Sequence, residues 1–192
     1  MGTGLAAVLL AGGATLALAA LPSEGSATRG PLPEYSVKAA FLYRFLEFVE
    51  WPRASPLPAG TVTIGVLGQD PFGEVLDRAI LGKVAAGRSL TIRRFPTLES
   101  LSPCAVLFIS SSETKHLPDI LARLEGVAVL TVGEGDQFAR RGGMIGFYFE
   151  DNRVRLEINR TAAERAGLRV SSKLLAVARL VQTETADAGR ER

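Results

Sequence analysis

Cysteine and histidine are almost absent from this chain of 192 residues, which has one of each. A single cysteine excludes a disulfide within the chain, and a single histidine leaves no second imidazole for the usual metal clusters. Cys104 opens an apolar run, Cys104 to Ile109, that predicts a buried strand and an inert thiol. The alternative is a disulfide to another chain in an oxidising compartment. We predict no metal site.

An excess of charge of one sign is also lacking. The chain has 22 Lys and Arg against 20 Asp and Glu, a net charge of +2, and no stripe of basic residues. This balance excludes nucleic acid as the expected partner. The remaining composition, 47% hydrophobic and 22% charged, is typical of one globular domain.

Motifs of catalysis and cofactor binding are missing. The chain has no Gly-x-Ser-x-Gly elbow, Lys83 is followed by Val84 rather than Ser or Thr, and the glycines at 65 and 68 lack the third of a dinucleotide fingerprint. Ser110 to Glu113 follow a predicted strand, where their hydroxyls and carboxylate suit a helix start. The alternative is a hydrolase using Ser111 and His116. We predict no catalytic residue and no cofactor.

Residues 1–27 differ from the rest of the chain. No charge occurs from Leu5 to Leu21, and small-x-small sites end at Ala19 and Ala27. These features predict a signal peptide, cleaved after one of those two alanines, although no Lys or Arg precedes the apolar run. The alternative is an uncleaved anchor, but the run is shorter than the roughly 20 residues that a membrane span requires.

The pattern over residues 28–182 predicts one α/β domain with a mostly parallel central sheet, flanked by helices and followed by a C-terminal hairpin. A helix is expected from Glu34 to Pro52 and strands over 61–68, 89–95, 104–110 and 127–133. A hairpin turns at 150–152, Thr161 starts a helix that Gly167 ends, and Ser171 or Ser172 caps a last helix extending to Val181. Residues 183–192 are a polar tail.

Aromatic residues concentrate in KAAFLYRFLEFVEWP, residues 38–52, which holds five of the thirteen in the chain. Phe41, Phe45 and Phe48 follow a helical stripe, which indicates core packing. Tyr43 and Trp51 lie off that stripe, and each combines an apolar body with a polar tip. They are the aromatic candidates for contact with a partner.

Arginines form the other candidate site. Arg140 and Arg141 precede two glycines, while Arg153 and Arg155 share one face of a predicted strand. One interpretation is a solvated strand face with a cross-strand ion pair. The other is an anion or carboxylate site near the hairpin, since guanidinium groups bind carboxylates through two parallel hydrogen bonds.

An ordered series of six segments resembles the YfiR-like family, also described as YfiR/HmsC-like, and covers about residues 35–181. The segments are VKAAFLYRFLEFVEWP, IGVLGQDPFG, GKVAAGRSLTIRRF, CAVLFISSSE, VLTVGEGDQFARRGGMI and VRLEINRTAAERAGLRVSSKLL. Residues that match the recurrent pattern of the family are Lys38, Phe41, Tyr43, Trp51, Pro52, Asn159, Ser172 and Lys173.

The resemblance implies a small periplasmic α/β protein without catalysis. Better-known members repress an inner-membrane diguanylate cyclase by binding its periplasmic sensor region, which lowers cyclic-di-GMP and biofilm formation. An outer-membrane lipoprotein can sequester the repressor, and homodimers are reported. Similar domains also occur on sensor kinases. Some members carry stabilising disulfides, which a chain with Cys104 alone cannot form internally.

The resemblance leaves one alternative function open. The chain would then be a periplasmic binding module for a small molecule, without control of a cyclase. In an open α/β sheet such a ligand lies beyond the carboxyl ends of the parallel strands. The sequence places those ends near Gly68, Ser110 and Gly133.

Overall fold

The computed structural model describes residues 34–52, 60–135 and 137–184, all within one compact unit, Pro31–Arg192. The predicted signal peptide and most of the polar tail lie outside the described residues, so the limits of the domain stay a prediction. Within the described residues the helices are α1 (Glu34–Phe48), α2 (Glu74–Ile80), α3 (Leu117–Arg123), α4 (Arg160–Arg165) and α5 (Ser172–Leu175). The strands are β1 (Val49–Glu50), β2 (Thr61–Leu67), β3 (Val84–Ala85), β4 (Arg88–Phe95), β5 (Val106–Ile109), β6 (Leu130–Glu134), β7 (Ile145–Glu150), β8 (Arg153–Asn159), β9 (Arg169–Val170) and β10 (Arg179–Val181).

Eight of these strands form one sheet in the order β10-β8-β7-β6-β5-β2-β4-β3. Five of its seven neighbouring pairs are parallel, and the two antiparallel pairs are β7–β8 and β3–β4. The predicted α/β class, mostly parallel sheet and C-terminal hairpin are therefore confirmed. The β7–β8 turn has positive φ angles at Asp151 and Asn152, which short polar side chains tolerate better than most.

The centre of the sheet is covered on both faces. All four residues of β5 are buried, as its continuous apolar run predicts. Phe108 packs in one core cluster with residues of α1 and α2, whereas Leu107 packs in a second cluster with Leu117 and Ile120 of α3. The helices therefore form one layer on each face of the sheet.

Two helices end earlier than predicted. We expected α1 to extend to Pro52, but it ends at Phe48 because Val49 and Glu50 pair antiparallel with β9, beside a hydrogen bond from Ser171 N to Phe48 O of 2.8 Å. The last helix ends at Leu175, and the apolar residues after it include strand β10, parallel to β8. In both places long-range strand pairing overrides local helical periodicity.

The buried face of α1 is offset from the predicted stripe. Phe45 is fully buried, together with Lys38, Ala39 and Leu42. Phe41 and Phe48 are only partly buried, although both pack against the core. The stripe prediction is thus confirmed for Phe45, and the other two rings lie at the margin of the core.

The start of α4 also differs from its prediction. The cap is Asn159 rather than Thr161, and its Oδ1 accepts a hydrogen bond from Ala162 N at 3.0 Å. The same fully buried amide donates to Ala139 O at 2.9 Å and to Thr183 Oγ1 at 2.8 Å. The Asn159 side chain therefore caps α4 and connects two loops to the end of β8 by hydrogen bonds.

Candidate interaction surface

The carboxyl ends of the parallel strands are closed by the chain itself. After β5, the Ser110 hydroxyl accepts a hydrogen bond from Ser112 N at 3.4 Å and starts a 3-10 turn over Ser111–Glu113. Ser112 Oγ in turn accepts one from Gln69 N at 3.0 Å. This region is the helix start that the hydroxyls and carboxylate predicted, and it covers the strand ends near Gly68.

A small cleft remains beside this turn. Its volume is about 130 Å³, and its polar lining includes Ser110, Glu134 and Arg141. A Cβ atom at Gly133 or Gly143 would overlap the ring of Phe138, so the ring occupies the space next to β6. The cleft is smaller than the roughly 300–1,000 Å³ of typical ligand pockets.

A buried charge cluster lies at the end of β6. Lys38 Nζ contacts Glu134 Oε2 at 2.5 Å and also forms an ion pair with Glu34. The side chains of Lys38 and Glu134 are only 6% and 9% exposed. Tyr35 Oη donates to the Glu134 carboxylate at 3.3 Å, and the Lys38 ammonium lies 4.7 Å from the centre of the Tyr35 ring. The cluster joins α1 to β6.

Burial and ion pairing have opposite effects on the pKa of Lys38. Burial by itself would lower the pKa of this lysine, but its hydrogen bonds to Glu134 and Glu34 outweigh burial and raise that pKa. Burial, followed by the negative charge of Glu134, raises the pKa of Tyr35. In the sequence, Lys38 stood out only as a match to the family pattern, since nothing local indicates a partner 96 residues away.

The remaining chemical candidates are dispersed. His116 is exposed, with Nδ1 3.2 Å from Glu113 Oε2, and Ser111 is exposed without a hydrogen bond to that ring among the described residues. Cys104 is buried, and burial raises the pKa of its thiol to about 12. Within the described residues no group of three or more His, Cys, Asp or Glu side chains could hold a metal ion.

The four candidate arginines lie at the two ends of β8. Near Asn159, Arg140 Nη1 lies 3.4 Å from Glu184 Oε1, and Arg141 Nη2 donates to Thr114 O at 3.0 Å. At the other end, Arg153 and Arg155 flank the hairpin turn. The structure therefore keeps these pairs apart and does not assemble one site from all four.

The hairpin arginines lie on a solvated strand face. Arg155 Nε is 3.8 Å from Glu150 Oε2 across the turn, and both side chains are more than 40% exposed. Arg179 of β10 joins them, 3.0 Å from Glu150 and 3.3 Å from Glu157, with its guanidinium 4.4 Å from the centre of the Tyr148 ring. The cross-strand pair was expected, whereas Arg179 was missed because its segment was predicted as helix.

The hairpin projects beyond its neighbours in the sheet. Strand β6 pairs with β7 only up to Phe147, and β10 pairs with β8 only from Glu157. We name residues 148–156 the hairpin arm. Within the described residues no third strand flanks the arm, so its two outer edges have free backbone groups. Such edges are templates for strand pairing.

The arm also exposes an apolar side chain. Phe149 is 54% exposed, and Arg153, opposite Glu150 in the strand register, is exposed without a carboxylate within 4 Å among the described residues. Aromatic residues and arginine are enriched where proteins bind each other. The arm is the best candidate interaction surface of the described residues, and Phe149 was not selected from the sequence.

Tyr43 and Trp51 lie elsewhere, at the C-terminal half of α1 and just after β1. Tyr43 is half-buried beside Lys83, whose Nζ lies 5.6 Å from the centre of the ring. A hydrogen bond with Glu47 raises the pKa of the Tyr43 hydroxyl. Trp51 packs against the main core, and its buried Nε1 has no hydrogen-bond partner in residues 34–52, 60–135 and 137–184. Their role in partner binding stays a prediction.

A family model described as YfiR/HmsC-like matches residues 35–179, more than half of the chain. No curated protein matches the chain. Among the described residues no helix has the length and apolar character needed to cross a membrane. The matched range includes all of α1 except Glu34, the whole hairpin arm and the start of β10.

Proposed function

The chain belongs to the YfiR/HmsC-like family, and from this membership we propose that it is a non-enzymatic periplasmic regulator. Residues 1–27 direct its export. It represses an inner-membrane diguanylate cyclase by binding the periplasmic sensor region of the cyclase, and thereby lowers cyclic-di-GMP and biofilm formation. The observation that carries the proposal is the family match over residues 35–179.

The proposed mechanism is a shift of populations. A protein that binds the inactive conformation of a sensor more tightly than the active one increases the inactive fraction. An outer-membrane lipoprotein that sequesters the regulator would restore the active fraction by mass action. A homodimer, as reported in the family, would present two hairpin arms to the sensor.

The first experiment measures intracellular cyclic-di-GMP in a strain lacking the gene. The strain is complemented either with the full chain or with a chain lacking residues 1–27. We expect the deletion to raise cyclic-di-GMP and only the full chain to lower it again. An unchanged level in the deletion strain under several growth conditions would contradict the proposal.

A second experiment locates the interface on the hairpin arm. Arg153→Glu reverses an exposed charge near the turn, and Arg78→Glu on α2 is its matched control, where the native side chain is 65% exposed and pairs with Glu74. We expect Arg153→Glu to weaken binding of the purified sensor region at least about tenfold, or 1.4 kcal/mol. Equal affinities of the two variants in calorimetry would remove the arm from the interface.

The other candidates are tested in the same assay. Weaker binding by Arg155→Gln would place the hairpin end of β8 at the sensor. Weaker binding by Arg140→Gln or Arg141→Gln would place the opposite end there. Tyr43→Ala and Trp51→Ala should each weaken binding more than they lower the melting temperature. Since Trp51 packs against the core, proportionate losses of binding and melting temperature would make it a packing residue.

A groove favours the alternative function, a small-molecule binding module. It measures about 600 Å³, within the usual range for ligand sites. Leu121 and Ala122 of α3 and Ala162 and Arg165 of α4 line it, with Arg141 at its margin. Native mass spectrometry of the exported protein that finds a bound metabolite, with unchanged cyclic-di-GMP in the deletion strain, would support this alternative.

A further inference from the structure

Another cavity lies beneath Trp51, away from the hairpin arm. It has a volume of about 50 Å³ between α1, the amino ends of β2 and β4, and the turn that joins β3 to β4. Its lining consists of Leu46, Trp51, Val62, Ala85, Ala86, Arg88 and Ala105. A single water molecule requires roughly 10–15 Å³ measured in this way, so the cavity has room for a group of several heavy atoms.

Among the described residues, the indole N–H and the guanidinium of this lining have no hydrogen-bond or ion-pair partner. Trp51 Nε1 is buried, and none of the residues that the structure describes supplies a hydrogen-bond acceptor to it. A buried donor left unpaired costs about 1–3 kcal/mol, so native proteins rarely leave one. Arg88, half-buried, has no carboxylate within 4 Å among the described residues. Among the described residues, the lining thus includes one buried donor without a partner and one arginine without an ion pair.

The residues that line the cavity determine which ligand it can bind. Leu46, Val62 and Ala105 are apolar, and an ordered water in a buried site needs two to four polar partners. Water would satisfy the indole N–H but would leave the guanidinium without a counter-charge. A carboxylate accepts from both groups, because charge-assisted hydrogen bonds to guanidinium are among the strongest in proteins.

We propose that this cavity binds a small free carboxylate of about the size of acetate, with Trp51 Nε1–H and the Arg88 guanidinium as its donors. Alkyl carbons of the acid would contact Leu46 and Val62. The site does not depend on repression of a cyclase, and it differs in place from the groove between α3 and α4. A protein that does not bind acetate could therefore still repress a cyclase. A protein that does not repress a cyclase could still bind acetate.

The chain offers a direct probe of this cavity. Trp51 is its only tryptophan, so the intrinsic emission of the exported protein reports this site alone. We would titrate sodium acetate, with sodium chloride at equal ionic strength as the control and benzoate as the control for size. We expect a saturable change with acetate, and no saturation with chloride or benzoate.

Two variants test the donors. Arg88→Gln removes the charge, and we expect it to weaken acetate binding about tenfold, the loss of one charge-assisted hydrogen bond. Arg93→Gln, an exposed change on the same strand, should bind like the native protein. If Arg88→Gln does not fold, Arg88→Lys serves instead, since it keeps the charge but loses the planar fork.

The indole N–H is tested by thermal unfolding. A ligand that binds only the folded state raises the melting temperature as its concentration increases. Acetate should raise that of the native protein and have little effect on Trp51→Phe, which keeps an aromatic ring but lacks the donor. A fluorescence change equal to that with chloride, or equal acetate affinity in native and Arg88→Gln proteins, would overturn the proposal.

Discussion

Two clusters in this protein each contain one cation, two glutamates and one tyrosine, but the cation is buried in one cluster and exposed in the other. Each places one cation between two carboxylates and above a tyrosine ring: Lys38 between Glu34 and Glu134 near Tyr35, and Arg179 between Glu150 and Glu157 near Tyr148. The side chain of Lys38 is 6% exposed, whereas that of Arg179 is 46% exposed.

The comparison shows that burial, rather than the number of ion pairs, sets what such a cluster does. In water each charge keeps its hydration, and an exposed pair contributes little. A buried pair has lost its hydration, so removal of one partner leaves an uncompensated charge. We infer that the Lys38 cluster holds α1 in place. In the Arg179 cluster only Glu157 is buried, and the exposed charges of Arg179 and Glu150 remain available to a partner.

The largest expected effect is that of Lys38→Met. Because Glu134 would remain buried without its cation, we expect a loss of about 3 kcal/mol in the free energy of unfolding. Urea denaturation at neutral pH measures it. The matched control is Arg44→Met on the same helix, whose pair with Glu47 is exposed and contributes less than about 1 kcal/mol.

A double variant sharpens this result. In Lys38→Met with Glu134→Gln the orphaned charge is removed as well, so part of the lost stability should return. No recovery in the double variant would show that Lys38 stabilises through packing of its stem rather than through its charge.

A smaller effect is expected from Cys104, whose ionisable thiol is buried. Burial raises its pKa from 9.0 to about 12, so the folded state disfavours the thiolate. The contribution of this neutral thiol to the free energy of unfolding is complete below pH 9. It falls as the pH rises toward 12, and about 1.4 kcal/mol is lost by pH 10. Denaturant unfolding at pH 7, 9 and 10 measures the loss.

Cys104→Ala is the control for this pH dependence. The variant is less stable at every pH, because a buried side chain is shortened, but its stability should fall less between pH 9 and pH 10. Parallel curves for the native protein and the variant would show that the thiol does not remain neutral in the fold.

The smallest effect is expected from Arg179→Gln. Arg179 and its partner Glu150 are both more than 40% exposed, and only Glu157 is buried, so we expect a change in melting temperature far below that of Lys38→Met, and one that shrinks further as salt screens the charges. Differential scanning fluorimetry at low and high salt compares the two. A large effect that does not depend on salt would mean that this cluster is buried in the functional assembly.

Sequence patterns located most elements because their signals are local. Alternating or continuous apolar residues marked β2, β4 and β5, and the polar turn marked the β7–β8 hairpin. Errors occurred where distant strands decide the conformation: β1 depends on β9, and β10 depends on β8. An isolated apolar run of a few residues carries no information about which strand it will meet.

The candidate surface was predicted in part. Arg153 and Arg155 were selected from the alternation of one strand, which is visible in the sequence. Phe149 was not, since its exposure follows from β6 ending before β7 does. The unpaired indole of Trp51 was equally hidden, because only the assembled cavity shows which acceptors are absent.

The sequence by itself determined the class of the fold, the order of its longer helices and strands, and the family, because periodicity, turn residues and family motifs are properties of neighbouring residues. Tertiary structure decided the rest. Lys38 and Glu134 are 96 residues apart, and only the packing of α1 on the sheet brings them together. Whether a charge is buried or solvated depends on surfaces that distant segments create, and this decides whether it stabilises the protein or remains free to bind a partner.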